Sequence, residues 1–279
     1  MHPIVTPAWL AEHLSDRDLA VFDATLPPVG AVPPADTHAR YLAGHIPGAI
    51  FFNIEELSDH STSLPHMLPT PERFSLSMAS LGVSDAMSIV VYEQEGMFSA
   101  PRAWWMLRTF GVQHVSVLDG GLRAWVEAGL PVQAGPVDRA PAAFHARLNS
   151  AAVKDFSAIQ QMITEHAQIL DARSAGRFTG ASPEPRPGLS SGHMPGAVST
   201  PYTDLLEAGR LKPAAKLREY FFSKEVNLEE PITTTCGSGV TAAVVALGLQ
   251  LAGAKYISLY DGSWSEYAQH PEAVIEKGE

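Results

Sequence analysis

Gly44-His45-Ile46-Pro47-Gly48-Ala49 recurs as Gly192-His193-Met194-Pro195-Gly196-Ala197, 148 positions further along the chain. Upstream of each copy, at the same spacing, stand Val21-Phe22-Asp23-Ala24 and Ile169-Leu170-Asp171-Ala172. Two separate tracts held at one offset mark a duplicated structural unit. A second set, Phe110-Gly111, Leu118-Asp119-Gly120 and Trp125, is echoed by Gly253, Tyr260-Asp261-Gly262 and Tyr267 at an offset of 142. The N-terminal copy therefore carries six more residues between the two sets of landmarks.

Around these landmarks, β-rich runs at 89–92, 115–118, 169–170, 232–235 and 256–259 alternate with helix-like runs at 100–110, 122–128, 154–166 and 242–252. Such alternation predicts an α/β fold, a parallel sheet flanked by helices, in each copy. The Pro- and Ala-rich stretch that begins at Gln133 reads as the connector. The expected division is a first domain over 1–132, a linker over 133–150 and a second domain over 151–279. A second Pro/Gly-rich stretch, 180–192, lies inside the second copy and reads as a surface loop.

The 279 residues are 46% apolar and 18% charged with mean hydropathy +0.01, the profile of a chain able to bury ordinary cores. A net charge of −11 disfavours nucleic acid and anionic membrane as partners, because both demand clustered Lys and Arg. An anionic substrate would need local arginines and backbone amides to hold it. The start, Met1-His2-Pro3-Ile4, lacks the basic cluster and apolar core of a secretory signal. The mostly apolar run 241–254 is too short to span a bilayer and contains Gln250. One cysteine forms no internal disulfide, and a reducing cytoplasm is the expected compartment.

That cysteine sits where chemistry is expected. The β-type run Ile232-Thr233-Thr234-Thr235 leads into Cys236-Gly237-Ser238-Gly239-Val240-Thr241, and Ala242-Ala243-Val244-Val245 then opens a helix. A strand, a glycine-bearing turn and a helix N-terminus make a cradle of converging N–H groups that favours a thiolate. A lone Cys is more often a small buried hydrophobe, but the Gly-Ser-Gly context has no packing rationale. A phosphatase cradle would close with Arg six positions after the Cys, and here that residue is Ala242. Zinc-ligand spacing and C-x-x-C are both absent. Sulfur transfer fits best, since a persulfide anion also gains from several N–H donors.

With the duplicated G-H-I/M-P-G-A boxes, Cys236-Gly237-Ser238-Gly239-Val240-Thr241-Ala242 resembles the rhodanese superfamily in its tandem-domain form. Within that superfamily it is most similar to the 3-mercaptopyruvate sulfurtransferases, which carry C-G-S-G-V-T. The likeness extends over essentially the whole chain. It includes His66-Met67-Leu68-Pro69, Ser99-Ala100-Pro101-Arg102-Ala103-Trp104-Trp105, Leu118-Asp119-Gly120-Gly121, Glu184-Pro185-Arg186-Pro187-Gly188 and Tyr260-Asp261-Gly262-Ser263-Trp264.

The resemblance implies two rhodanese-like domains, the first non-catalytic, and a persulfide on Cys236 with Ser238 beside it. It also implies that Arg177 and Arg186 bind the keto acid, while Gly237, Gly239, Val240 and Thr241 supply the loop. Guanidinium suits a planar carboxylate because it donates two parallel N–H bonds. His45 and Asp36 are implied as contributors to the cleft, although His193 in the equivalent box makes a structural job plausible for both histidines. Arg173 reads as structural. No metal or organic cofactor is implied, and the partners would be 3-mercaptopyruvate and a thiol acceptor such as thioredoxin, or cyanide. A thiosulfate sulfurtransferase, which prefers basic loop residues, and a non-enzymatic sulfur-relay module remain as alternatives.

Overall fold

The computed structural model describes residues 1–27 and 35–278. They fall into two compact units, Met1–His60 with Leu68–Asn149, and Ser61–Met67 with Ser150–Glu279. Among the described residues no helix is long and apolar enough to cross a membrane.

The first unit runs β1 (Ile4–Val5), α1 (Pro7–His13), β2 (Leu19–Asp23), α2 (Thr37–Ala43), β3 (Ile50–Phe51), α3 (Ile54–Leu57), α4 (Pro71–Ser80), β4 (Ser88–Tyr92), α5 (Ala100–Thr109), β5 (Val115–Leu118) and α6 (Gly121–Glu127). Its five strands are parallel in the order β1-β5-β4-β2-β3. The second unit runs β6 (Val153–Lys154), α7 (Phe156–Thr164), β7 (Gln168–Asp171), α8 (Ala175–Phe178), β8 (Val198–Ser199), the hairpin β9 (Leu206–Glu207) and β10 (Arg210–Leu211), α9 (Ala214–Ser223), β11 (Ile232–Thr235), α10 (Val240–Ala252), β12 (Ile257–Tyr260) and α11 (Ser263–Tyr267). Its sheet is parallel in the order β6-β12-β11-β7-β8, which repeats the first.

Parallel strands need crossover connections, and helices supply them. Short hydroxyl or carboxylate caps start several: Thr6 accepts from the Trp9 N–H at 3.2 Å ahead of Pro7, and Asp155 accepts from the Ala158 N–H at 2.8 Å. Proline at the first helical position loses only an N–H that would have no partner there. The helix α10 is apolar around most of its circumference and buried along most of its length, as a central crossover must be. It ends at Gly253, whose left-handed backbone (φ 105) returns the N–H to Leu249 and Gln250.

The expected linker is corrected. Residues 133–149 pack with the first unit: Gln133 bridges His45, the Gly135 N–H reaches Leu42 O at 2.8 Å and the Asn149 N–H reaches Thr109 O at 2.8 Å. Phe144 is buried edge-on to Phe74. A Pro-rich composition cannot distinguish a free tether from a strap that finds backbone partners. The second unit also takes in Ser61–Met67, a segment far from it in sequence.

Matching registers identify the two counterpart loops. Asp23 pairs with Tyr92 as Asp171 pairs with Thr235, so Glu93 occupies in the first unit the place of Cys236 in the second. The Leu122 N–H reaches Glu93 O at 2.9 Å, just as the Trp264 N–H reaches Cys236 O at 2.9 Å. The Glu93 carboxylate accepts from the N–H groups of Phe98, Ser99 and Ala100 and from Ser99 Oγ. Burial nevertheless outweighs these bonds and pushes its carboxyl up to about 7.

The folded chain therefore holds this proton more tightly than the unfolded chain, whose ordinary value is 4.5. The resulting stability is complete below pH 4.5 and lost as pH rises toward 7, a change of about 3 kcal/mol. Glu93→Gln keeps the shape and the acceptor without the charge. It is expected to remove this part of the pH dependence and to stabilise the protein at pH 8, read from denaturant unfolding at pH 5 and pH 8.

Candidate active site

In an open parallel sheet, ligands gather at the carboxyl ends of strands where the strand order reverses. That point in the second unit lies between β7 and β11, since β8 flanks β7 on one side and β11 lies on the other. The loop after β11 carries Cys236, and the loop and short helix after β7 carry Arg173 and Arg177.

Four β-branched or aliphatic residues, all buried, build β11 and deliver Cys236 at its end with 2% exposure. Gly239 takes a left-handed backbone (φ 76), which turns the chain into α10 within three residues. A side-chain-bearing residue would be strained there. The first N–H groups of a helix have no partner inside it. The N–H groups of Gly237, Ser238, Val240 and Thr241 also make no hydrogen bond to another described residue. Behind the loop, Ser263 accepts from the Cys236 N–H at 3.3 Å and donates to Tyr260 O at 2.8 Å. Ser263 itself is held at φ 51, a conformation non-glycine residues seldom adopt. The Ser265 N–H and hydroxyl both reach Gly237 O, at 3.0 and 2.6 Å. The loop is thus anchored through the Cys236 N–H and the carbonyls of Cys236 and Gly237.

Both expected arginines come to this loop. A Cβ placed on Gly237 would lie 2.8 Å from Arg177 Nη2 and 3.7 Å from Arg186 Nη1. Arg186, in the segment 180–192 without helix or strand, donates from Nη2 to Ser238 Oγ at 3.2 Å. Ser238 is buried and lies 3.0 Å from His66 Nδ1. The Ser238 hydroxyl thus stands between the Arg186 guanidinium and the His66 ring. Arg177 donates from Nε and Nη2 to Glu184, with a shortest distance of 2.6 Å.

Arg173 is structural, as expected. It is fully buried, pairs with Asp171 at 2.6 Å and Glu184 at 2.8 Å, and lies 4.0 Å over the Trp264 ring. Burial pulls its guanidinium down, but the two carboxylates outweigh that and hold it above the usual value.

His45 and Asp36 both have local partners within the first unit. The buried His45 ring stacks on Tyr41 at 4.3 Å, and its Nδ1 lies 2.9 Å from Tyr41 O. His193 does the same work in the second unit, stacked on Phe178 at 3.9 Å with Nδ1 3.0 Å from Phe178 O. Each box histidine also forms an isolated backbone bridge, His45 to Gln133 and His193 to Glu276. Asp36 caps α2, accepting from the Ala39 N–H at 2.8 Å. A short acid ahead of a helix is drawn to the unpaired N–H groups there.

The sequence motifs contain two further residues of the site, His66 and Ser263, without pointing to a role for either. His66 lies 172 positions from Ser238 and takes an unusual φ of 62. Ser263 lies 27 positions beyond Cys236 and takes a φ of 51. Neither position carries a local periodic signal. Among the described residues no group of three or more His, Cys, Asp and Glu side chains is placed to hold a metal ion.

The family model described as the Rhodanese-like domain matches residues 6–128 and 155–270. The 3-mercaptopyruvate sulfurtransferase of Escherichia coli strain K12 is 46% identical over 96% of this chain and 95% of its own length. The thiosulfate sulfurtransferase of Gallus gallus is 42% identical over 95% of this chain and 92% of its own. The crystal structure of SseA from Escherichia coli, described among 3-mercaptopyruvate sulfotransferases with the rhodanese fold, superposes with a TM-score of 0.87 at 43% identity. That match covers 95% of this chain and 99% of the other.

Proposed function

The chain belongs to the rhodanese-like family and is a sulfurtransferase, and from that premise we propose that it moves sulfur from 3-mercaptopyruvate through Cys236 to a thiol. One observation carries the choice of donor: two guanidiniums approach a loop whose second and third residues, Gly237 and Ser238, are small and uncharged.

The Cys236 thiolate attacks the donor sulfur, and the electron pair of the breaking carbon–sulfur bond moves into the keto acid. Pyruvate leaves as its enolate and is protonated at carbon. Arg177 and Arg186 hold the carboxylate, and Arg186 with Ser238 faces the keto oxygen where negative charge grows. Ser238, between Arg186 and His66, is positioned to share the proton of the donor thiol. The persulfide then rests among the loop amides until a thiol acceptor, such as thioredoxin or a small thiol, or cyanide attacks its outer sulfur. Two half-reactions of this kind give ping-pong kinetics. The scheme uses no metal or organic cofactor and suits a reducing cytoplasm.

Parallel turnover on 3-mercaptopyruvate and thiosulfate tests the reading, with pyruvate release as the readout for the first donor. A preference for thiosulfate would overturn it and favour the activity named in the Gallus gallus relative. That activity calls for a cationic loop to hold a sulfonate, and residues 237–241 supply no cation.

Gly237→Ala is a second check. The new Cβ meets a guanidinium tip, which normally gives way, but Glu184 restrains this one. The variant is expected to fold and to raise KM for 3-mercaptopyruvate about fivefold in steady-state kinetics.

A further inference from the structure

The Glu184 carboxylate touches no reacting group in the scheme above, yet it is tightly held. Its side chain is 1% exposed and is bracketed by two guanidiniums. One oxygen accepts from Arg173 Nη1 at 2.8 Å, and Arg177 donates through Nε and Nη2 at 3.2, 3.1 and 2.6 Å. Arg173 is itself fixed by Asp171 at the end of β7, by Gly192 O at 2.6 Å and by the Trp264 ring. Two cations and two anions thus form a chain from the sheet to the Cys236 loop, with Arg177 as its only partly exposed member, at 23%.

We propose that Glu184 is a positioning residue for the sulfur donor: it clamps the Arg177 guanidinium beside Gly237, with Nη1 left to grip the donor carboxylate. Nη1 makes no hydrogen bond to a described residue. The bidentate pair sets both the plane and the reach of a long side chain that would otherwise sample many rotamers. Simple electrostatics makes the opposite prediction. An acid beside a binding arginine weakens its attraction for an anion, so neutralising Glu184 without loss of orientation would lower KM. The orientation role raises it.

The inference rests on the assignment of Arg177 above, and the test separates the two. Persulfide formation on Cys236 is followed by intact mass and by steady-state kinetics in Glu184→Gln, Arg177→Ala and the double variant. Two donors are compared: 3-mercaptopyruvate and inorganic polysulfide, which transfers sulfur to the same thiolate but has no carboxylate. Glu184→Gln is expected to raise KM for 3-mercaptopyruvate roughly tenfold with kcat changed much less, and to leave the polysulfide rate within about twofold. The double variant should be no worse than Arg177→Ala.

Equal losses on both donors, or an unchanged or lower KM, would overturn the role of Glu184 while Arg177→Ala still shows a donor-specific defect. If Arg177→Ala shows no such defect, the assignment of Arg177 fails and takes this inference with it. Should Glu184→Gln fail to fold, Glu184→Asp serves instead. It keeps the charge against Arg173 but is one methylene too short for the bidentate pair, and the same donor-specific rise in KM is expected.

Discussion

Cys236→Ser is expected to add no sulfur after incubation with 3-mercaptopyruvate, whereas the wild-type chain gains the mass of one sulfur atom. Turnover should fall by about a thousandfold or more, because a serine hydroxyl accepts no sulfur and no second cysteine exists to replace it. The change is small and its backbone surroundings are untouched: the Cys236 N–H still meets Ser263, and its carbonyl still accepts from Trp264. Thermal stability should consequently stay close to that of the wild type, which separates lost chemistry from lost fold. Residual turnover within tenfold of wild type would remove the covalent intermediate from the mechanism.

Arg186→Ala should show the second-largest effect. This guanidinium sits in a loop without regular structure, donates to Ser238 and lies near Gly237, so its loss strips the loop of one cation and loosens the serine. A charge-assisted bond of this kind contributes about 1.5–3 kcal/mol, and kcat/KM is expected to fall about a hundredfold. Because the charge on the keto oxygen appears only as the carbon–sulfur bond breaks, kcat should fall as well as KM rise. A rise in KM alone would restrict Arg186 to holding the carboxylate. Persulfide formation from inorganic polysulfide should suffer far less, as that donor has neither carboxylate nor keto oxygen.

The contrast between Glu93 and Cys236 explains how one fold yields a reactive and an unreactive loop. Each residue directly follows the middle strand of its sheet and precedes the next helix by a few positions. In the first unit the chain fills that cradle with its own carboxylate, which takes the N–H groups of Phe98, Ser99 and Ala100. In the second unit a short side chain sits on a glycine-rich turn, and the amides of residues 237, 238, 240 and 241 have no hydrogen-bond partner among the described residues. In one place the chain's own carboxylate takes the amides; in the other they are left for the sulfur chemistry proposed above.

Much of this was legible in the chain because it is written locally. The Gly-His-Ile/Met-Pro-Gly-Ala boxes and their Asp-Ala partners revealed the duplication. The β-branched run 232–235, the Gly-Ser-Gly turn and the Ala/Val-rich helix after it defined the reactive loop. These features depend on residues a few positions apart, whose backbone preferences act wherever the chain goes. Tertiary structure alone decided the rest. It brought His66 to Ser238 across 172 positions, set Glu184 between Arg173 and Arg177, and assigned His45 and Asp36 to a backbone tie and a helix cap. Such pairings are chosen by burial, which forces a polar side chain to find a partner from whatever segment the fold has carried alongside. No pattern within either segment names that partner in advance.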